Sequence, residues 1–434
     1  MPISTSDTVS KDRRRGKPRR ANAVGYRRFS RPEQRPLHLA LVAFNGLSRL
    51  PTVVVALILL GLAALVGLAW YWVTDAAWAG WAVGVYLAFA AFDWALLWLL
   101  PRMNVSHGPV EPPLLALAGL RLTLALAGTA SVAWSGLSPS LALGLLASLY
   151  GGISVLSFYG VVIEPFRLTV TEMTLCSPKL LPDAPPVKVL QMGDFHIERR
   201  LTRRERHLLT RVKALAPDVI VLTGDYLNLS YVYDKEAWQA ARTFLSQLHA
   251  PFGVYAVSGS PPVDPPVVVE KLFEGLDNIC TLHNEQVALN VRGQRFHVVG
   301  IPCSHNPALD SGRLQASLSS VPQDAFTVVL YHSPDLMPEM VRTGVDLHLA
   351  GHTHGGQIRL PLYGALLTSS IYGKRYEMGH YQEGHTHLYV ARGIGMEGMG
   401  APRARFLCPP EIVLWTITRS FASATWDALP QMSM

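Results

Sequence analysis

The distribution of apolar positions divides the chain near residue 165. Before it, four long apolar runs at about 51–73, 78–100, 113–134 and 140–163 follow one another across short joints. A helix crossing a bilayer needs about 20 apolar residues. Runs this long and this free of charge predict four transmembrane helices rather than a buried soluble bundle. Residues 36–50 mix apolar and basic side chains and predict a short interfacial helix. After residue 165 the pattern shortens. Runs at 187–192, 219–222, 254–257, 326–331, 345–350 and 411–417 read as strands, and 202–215 and 235–249 as amphipathic helices. Apolar strands alternating with helices predict an α/β domain with covered sheets. The predicted organisation is a basic disordered tail at 1–35, a membrane domain at 36–164, an α/β domain at 165–418 and a tail at 419–434.

Charge fixes an expected orientation. The chain has 434 residues, 49% hydrophobic and only 16% charged, with a net charge of +7. Much of the excess lies in the first 35 residues: Lys11, Arg13, Arg14, Arg15, Lys17, Arg19, Arg20, Arg27, Arg28, Arg31 and Arg35. Beside apolar spans, such a run reads as a cytosol-facing tail and not as a nucleic-acid arm. Arg102 lies in the second joint and Arg167 after the fourth span, while the first and third joints have no Lys or Arg. The positive-inside rule then places both ends of the bundle, and everything after residue 165, in the cytosol. The expected location is the cell (inner) membrane, multi-pass, with the lipid bilayer as a partner. No nucleic acid, no protein partner and no cleavable signal peptide are expected. Asp93 and Arg121 sit at matched depth on consecutive spans and are expected to form an ion pair that fixes packing. The four cysteines, Cys176, Cys280, Cys303 and Cys408, form no CxxC pair, which speaks against a zinc knuckle or redox motif.

The chemistry gathers at predicted strand ends, where open α/β folds bind ligands. Gly193-Asp194-Phe195-His196 follows the first strand and Thr223-Gly224-Asp225 the next. His332 follows Tyr331, and Gly351-His352-Thr353-His354-Gly355-Gly356-Gln357 follows the strand ending at Ala350. Two carboxylates and four imidazoles make a mixed O/N set that suits Mn, Fe or Zn better than Ca or Mg. A second Gly384-His385-Thr386-His387 lacks the glycine-rich continuation. It reads as a hairpin with His385 and His387 on one solvent-facing side.

These motifs, in this order, resemble the calcineurin-like metallophosphoesterase superfamily, whose pattern is DxH, GD, GNH[DE], a lone His and GHxH. The closer resemblance is to a bacterial membrane-associated branch that ends in GHTHGGQ, YV-x-RG-x-G and RF-x-C-x-PEI. Here those are Tyr389-Val390-Ala391-Arg392-Gly393-Ile394-Gly395 and Arg405-Phe406-Leu407-Cys408-Pro409-Pro410-Glu411-Ile412. The resemblance covers about residues 165–418. It implies a four-layer α/β sandwich, preceded here by the four-helix transmembrane bundle, and two divalent transition metals. By motif match, Asp194, His196, Asp225 and His354 would hold one metal. Asp225, His332 and His352 would hold the other, with Asp225 bridging. The implied reaction is attack on phosphorus by a metal-bound hydroxide. Some members of the branch cleave the pyrophosphate of UDP-2,3-diacylglucosamine.

The third motif departs from the pattern. Val257-Ser258-Gly259-Ser260-Pro261-Pro262-Val263-Asp264 stands in its place, with Ser260 at the family's ligand Asn and Pro261 at its His. Proline can neither ligate nor donate a proton. Three outcomes stay open. Asp264 could replace the missing oxygen ligand, His283 or His305 could supply the acid, or the site could be degenerate. Asn284 reads as structural, and the loop Gly300–His305 lacks the acidic residues common in the branch. Arg199, Arg200, Arg203 and Arg204 could meet a phosphate but read as a solvated first turn. The expected function is a membrane-anchored, metal-dependent phosphoesterase for a phosphorylated, lipid-linked substrate, with Asp225, His352 and Asp264 as the residues bearing on catalysis. The alternative is a catalytically degenerate membrane protein of the same fold that binds or senses a ligand.

Overall fold

The change of period near residue 165 is also a change of compact unit. The computed structural model describes residues 19–20, 36–398 and 403–419. The expected tails therefore lie outside the described residues, apart from Arg19–Arg20 and Arg419. One unit takes Glu33–Pro165 with Glu397–Arg405, and the other takes the rest of the chain.

The first unit is helical: α1 (Pro36–Asn45), α2 (Thr52–Val73), α3 (Ala76–Leu99), α4 (Glu111–Ser135) and α5 (Pro139–Phe158). Its ends follow local rules. Asp75 caps α3 by accepting from Ala77 N and Trp78 N, and Ser138 caps α5 ahead of Pro139. Gly136, at φ 65°, closes α4 in the left-handed region. Four of these helices are long and apolar enough to cross a membrane by length and composition. Their outer faces carry Leu, Val and Trp in the open. Trp72, Trp81 and Trp134 are exposed at the helix ends that meet the two joints without Lys or Arg. Aromatic residues at such positions suit a membrane interface.

Inside, the polar atoms are gathered at one level. Arg121 pairs with Asp93, and both are buried. The second guanidinium nitrogen donates to Asp93 Oδ1 at 3.1 Å and to Ser154 Oγ at 2.8 Å. Tyr150 and Tyr86 hydroxyls donate to the carbonyls of Arg121 and Ala118. Removing one partner of a buried pair leaves an uncompensated charge, which costs about 3–5 kcal/mol, whereas apolar replacement of both is close to neutral. Asp93→Leu should therefore lower the thermal stability of the full chain in detergent far more than Asp93→Leu with Arg121→Met. Equal losses in the two variants would contradict the pair.

The second unit holds two mixed sheets. In one, β2 (Thr169–Cys176), β15 (Glu411–Thr418), β3 (Val187–Met192), β4 (Val219–Leu222), β5 (Val254–Ala256) and β6 (Cys280–Thr281) lie in that order. In the other the order is β1 (Arg19–Arg20), β13 (Gly379–Glu383), β14 (Thr386–Val390), β10 (Leu347–Ala350), β9 (Phe326–Tyr331), β8 (Gln294–Ile301) and β7 (Glu285–Val291). The strands β3, β4 and β5 run parallel, as do β8, β9, β10 and β14.

Side-chain alternation assigns the faces. Val187, Val189, Val219, Val221 and Trp415 meet Val298, Val328, Leu330, Leu347 and Leu349 in one core. The opposite faces, through Leu190, Met192, Ile220 and Leu222, pack against α6 (Arg203–Leu215), α7 (Lys235–Leu245) and α8 (Pro266–Phe273). Val299, Ile301, Val329 and Tyr331 pack against α9 (Pro307–Leu318) and α10 (Met337–Thr343). Strands covered on both sides read as unbroken apolar runs, which is why they stand out in the sequence. The β7–β8 hairpin, half exposed on β7, does not.

The second Gly-His-Thr-His does form a hairpin, turning at Gly384-His385 between β13 and β14. Its expected geometry needs one correction. His385 is exposed, but His387 is half-buried and stacks on His380 with ring centroids 5.1 Å apart. Sheet packing against Trp415 draws that face inward.

Candidate metal centre

All six expected ligand residues leave the C-terminal ends of parallel strands, and they come from both sheets. Asp194 and His196 follow β3, and Asp225 follows β4. His332 follows β9, and His352 and His354 follow β10. Two groups of ligand atoms result, each within 4.8 Å: Asp194, His196, Asp225 and His354, then Asp225, His332 and His352. Asp225 belongs to both, and every member is buried.

The local backbone is bent to bring this about. Asp194, His196, Asp225, His352 and His354 have φ between 45° and 69°. Left-handed backbone in non-glycine residues is disfavoured and concentrates where the surroundings over-determine it, commonly at functional sites. A Cβ on Gly351 would run into the Asp194 carboxylate. Glycine there lets the His352 N–H reach Asp194 Oδ1 at 3.0 Å.

The ring nitrogens converge. His196 Nε2 and His354 Nε2 are 2.9 Å apart, and His354 Nε2 is 3.4 Å from Asp194 Oδ1. His332 Nδ1 lies 2.7 Å from the Thr223 carbonyl and donates to it, which turns Nε2 toward Asp225 Oδ2 at 3.2 Å. A second bond that fixes the tautomer and aims the free nitrogen is characteristic of ligating histidines. Burial opposes ionisation of Asp225, but His332, His196 and His352 hold its carboxyl well below the usual range. Burial likewise disfavours His332⁺, yet Asp225 and Asp194 raise its pKa well above the ordinary value. Burial lowers His196 to about 4, so it stands neutral and able to ligate. Two carboxylates facing four imidazoles fit divalent transition metals.

The degenerate motif is occupied in an unforeseen way. Ser260 Oγ lies 3.1 Å from His332 Nε2, 3.2 Å from His352 Nδ1 and 3.3 Å from Asp225 Oδ2. Its hydroxyl thus stands among the second group of ligands, and its N–H donates to Asp225 Oδ1 at 2.6 Å. The position at the family's Asn was the available signal; the reach of the shorter side chain was not.

Asp264, one of the three possibilities left open for the missing oxygen ligand, faces backbone donors. Its Oδ2 accepts from Asp225 N and Gly259 N at 2.7 Å each, and Oδ1 accepts from Tyr226 N at 3.1 Å. The carboxylate is taken up by backbone donors and braces the two turns that carry Asp225 and Ser260. Of the candidate acids, His283 is exposed, whereas the His305 ring lies 5.0 Å from that of His352.

The downstream motifs position the ligands. Arg392 pairs with Glu411 at 3.1 Å, bracing the loop whose Gly395 N donates to the Asp194 carbonyl at 2.7 Å. The Cys408 thiol donates to the His354 carbonyl at 3.1 Å. Of the arginines near α6, Arg199 pairs with Asp234 and Arg204 with Glu205. Because backbone donors claim both Asp264 oxygens, Asp264→Asn should cost about 1–3 kcal/mol from mismatched donors. Its metal content at saturating Mn should stay that of the wild type. A drop in stoichiometry would make Asp264 a ligand after all.

No protein-family model matches the chain. Curated relatives do. The uncharacterized metallophosphoesterase YkuE of Bacillus subtilis is 31% identical over 262 residues, 60% of this chain and 88% of that protein. The phosphodiesterase YaeI of Escherichia coli is 29% identical over 248 residues, 54% of this chain and 82% of its own. The UDP-2,3-diacylglucosamine pyrophosphatase LpxG of Chlamydia trachomatis is 26% identical over 307 residues, 58% of this chain and 90% of its own. With the ligand set assembled on the strand ends and relatives matched over most of their length, the chain belongs to the calcineurin-like metallophosphoesterases and is a hydrolase of the phosphoesterase type.

Proposed function

We propose that this protein is a membrane-anchored phosphodiesterase or pyrophosphatase acting on a lipid-linked phosphoester at the cytosolic face of the inner membrane. The observation that carries the reading is Asp225, a buried carboxylate shared by two groups of ligand atoms. Asp194, His196, Asp225 and His354 would hold one cation. Asp225, His332 and His352, with the Ser260 hydroxyl as an added oxygen, would hold a second. Bound divalent metals at such a site lower the pKa of a water and neutralise charge growing on phosphoryl oxygens.

The chain's own residues do the rest. Asp264 fixes the backbone of Asp225, and the Thr223 carbonyl fixes His332. Pro261 leaves no imidazole at the usual place, and His305, whose ring lies 5.0 Å from that of His352, would give a proton to the leaving oxygen. The four apolar helices support confinement to a bilayer, and the lysine and arginine distribution supports the cytosolic face. The relative named for UDP-2,3-diacylglucosamine supports a lipid-linked pyrophosphate as the first substrate to try.

Purified full-length protein loaded with Mn should cleave bis(p-nitrophenyl) phosphate. Asp225→Asn should lose on the order of 10²–10³-fold in kcat and bind less Mn by elemental analysis. Ser260→Ala should weaken the second Mn roughly tenfold while Ser260→Asn retains it. A wild type without metal and without turnover would leave only the ligand-sensing alternative. The His305 assignment has its own check. A p-nitrophenolate leaves without help, so His305→Ala should slow an alkyl phosphodiester about 10²-fold and spare the nitrophenyl ester. Equal slowing of both would remove His305 from proton transfer.

A further inference from the structure

The hairpin that leaves the metal centre turns an apolar side outward. Strands β11 (Arg359–Leu360) and β12 (Gly364–Ala365) pair antiparallel, beginning two residues after Gln357. Leu360, Tyr363 and Leu366 are 45%, 59% and 46% exposed, and Leu362 at the tip is fully exposed in left-handed backbone. Leu407 adds to the patch, because Arg359 N donates to the carbonyl of the preceding Phe406. Residues 358–366 contain no Asp or Glu. Single exposed leucines are ordinary, but a contiguous group on one projecting element marks an interaction surface.

The inner side of the hairpin is tied down. Arg359 is buried, donates to the Gly355 carbonyl at 2.8 Å and pairs with Glu377 at 2.9 Å. Lys374 Nζ donates to the carbonyls of Tyr363 and Ala365 at 2.5 and 3.1 Å and lies 3.7 Å over the Tyr363 ring. Lys374 also pairs with Glu377 Oε1 at 3.0 Å, so the apolar tip is held rigid over an ion pair, with an aromatic ring between them.

We propose that this hairpin seats in the headgroup and upper acyl region of the bilayer that the chain's own apolar helices occupy. Leu362 and Leu366 enter the acyl boundary, which an interfacial element reaches at a depth of ~5–10 Å. Tyr363 lies at headgroup level, where amphipathic rings concentrate. The inference rests on the membrane reading above and deepens it. The Arg359 bond to Gly355 connects the seated hairpin to the residue after His354, so seating presents the metal centre to phosphoesters whose acyl chains stay in the bilayer.

The test uses full-length protein in vesicles of phosphatidylcholine and phosphatidylglycerol at about three to one. In a Cys280→Ser background, which itself gives the labelling blank, Leu362→Cys carries an environment-sensitive fluorophore. Val267→Cys, on exposed α8, carries it as the control. Shallow nitroxide lipids should quench position 362 roughly threefold or more above position 267. Equal quenching overturns the proposal. So does protection of position 362 from aqueous iodide without quenching by lipid, since protein would then cover the hairpin. In a second arm, Tyr363→Asp should cut lipid quenching at a label on Leu366→Cys while hydrolysis of soluble bis(p-nitrophenyl) phosphate stays within about twofold of wild type, as for a surface residue away from the centre. Undiminished quenching also counts against the proposal. Loss of hydrolysis in the wild type would sink the enzymatic reading and leave the quenching result standing.

Discussion

A single buried negative charge organises the catalytic unit. Asp225 is 2% exposed and sits where the strand ends of two sheets meet. An uncompensated carboxylate in such a place would cost several kcal/mol. The chain answers from both sides. The β5 turn offers the Ser260 N–H, and β9 offers His332. Asp264 then secures the Asp225 backbone without adding a ligand. The two sheets are thereby joined at their rim by electrostatics and hydrogen bonds, as well as through the apolar core between them.

The helical unit solves the same problem with fewer partners. Arg121 and Asp93 are buried against each other with Ser154 and two tyrosines close by. Beyond each other, that pair is met on the apolar helices by the Ser154 hydroxyl. Around the metal centre, each charge is nested in backbone donors and further imidazoles. The difference follows from what each must do. A packing pair needs only mutual neutralisation, while a ligand set must keep lone pairs aimed at one point.

Much of this could be read from residue order. Val187–Met192, Val219–Leu222 and Phe326–Tyr331 announce themselves because both faces of each strand are covered. The six ligands were legible because each follows such a strand within a few residues. The sequence misleads where backbone groups decide. Nothing in Ser-Pro-Pro-Val-Asp tells that three N–H donors will claim Asp264. His283 and His305 look alike as letters, and only the turn after β8 separates them. Strand alternation says that His385 and His387 share a face, not what packs against it, and so it misses the stacking of His387 on His380.

The position of β15 has a consequence in time. It lies between β2 and β3, paired along its whole length with the strand that follows the last apolar helix. Neither neighbour can complete the sheet until residues 411–418 have left the ribosome. Glu411, which holds Arg392 and so the loop beneath Asp194, arrives with that same strand. The first sheet, and with it the brace beneath Asp194, is therefore completed only after all six ligand residues have been synthesised.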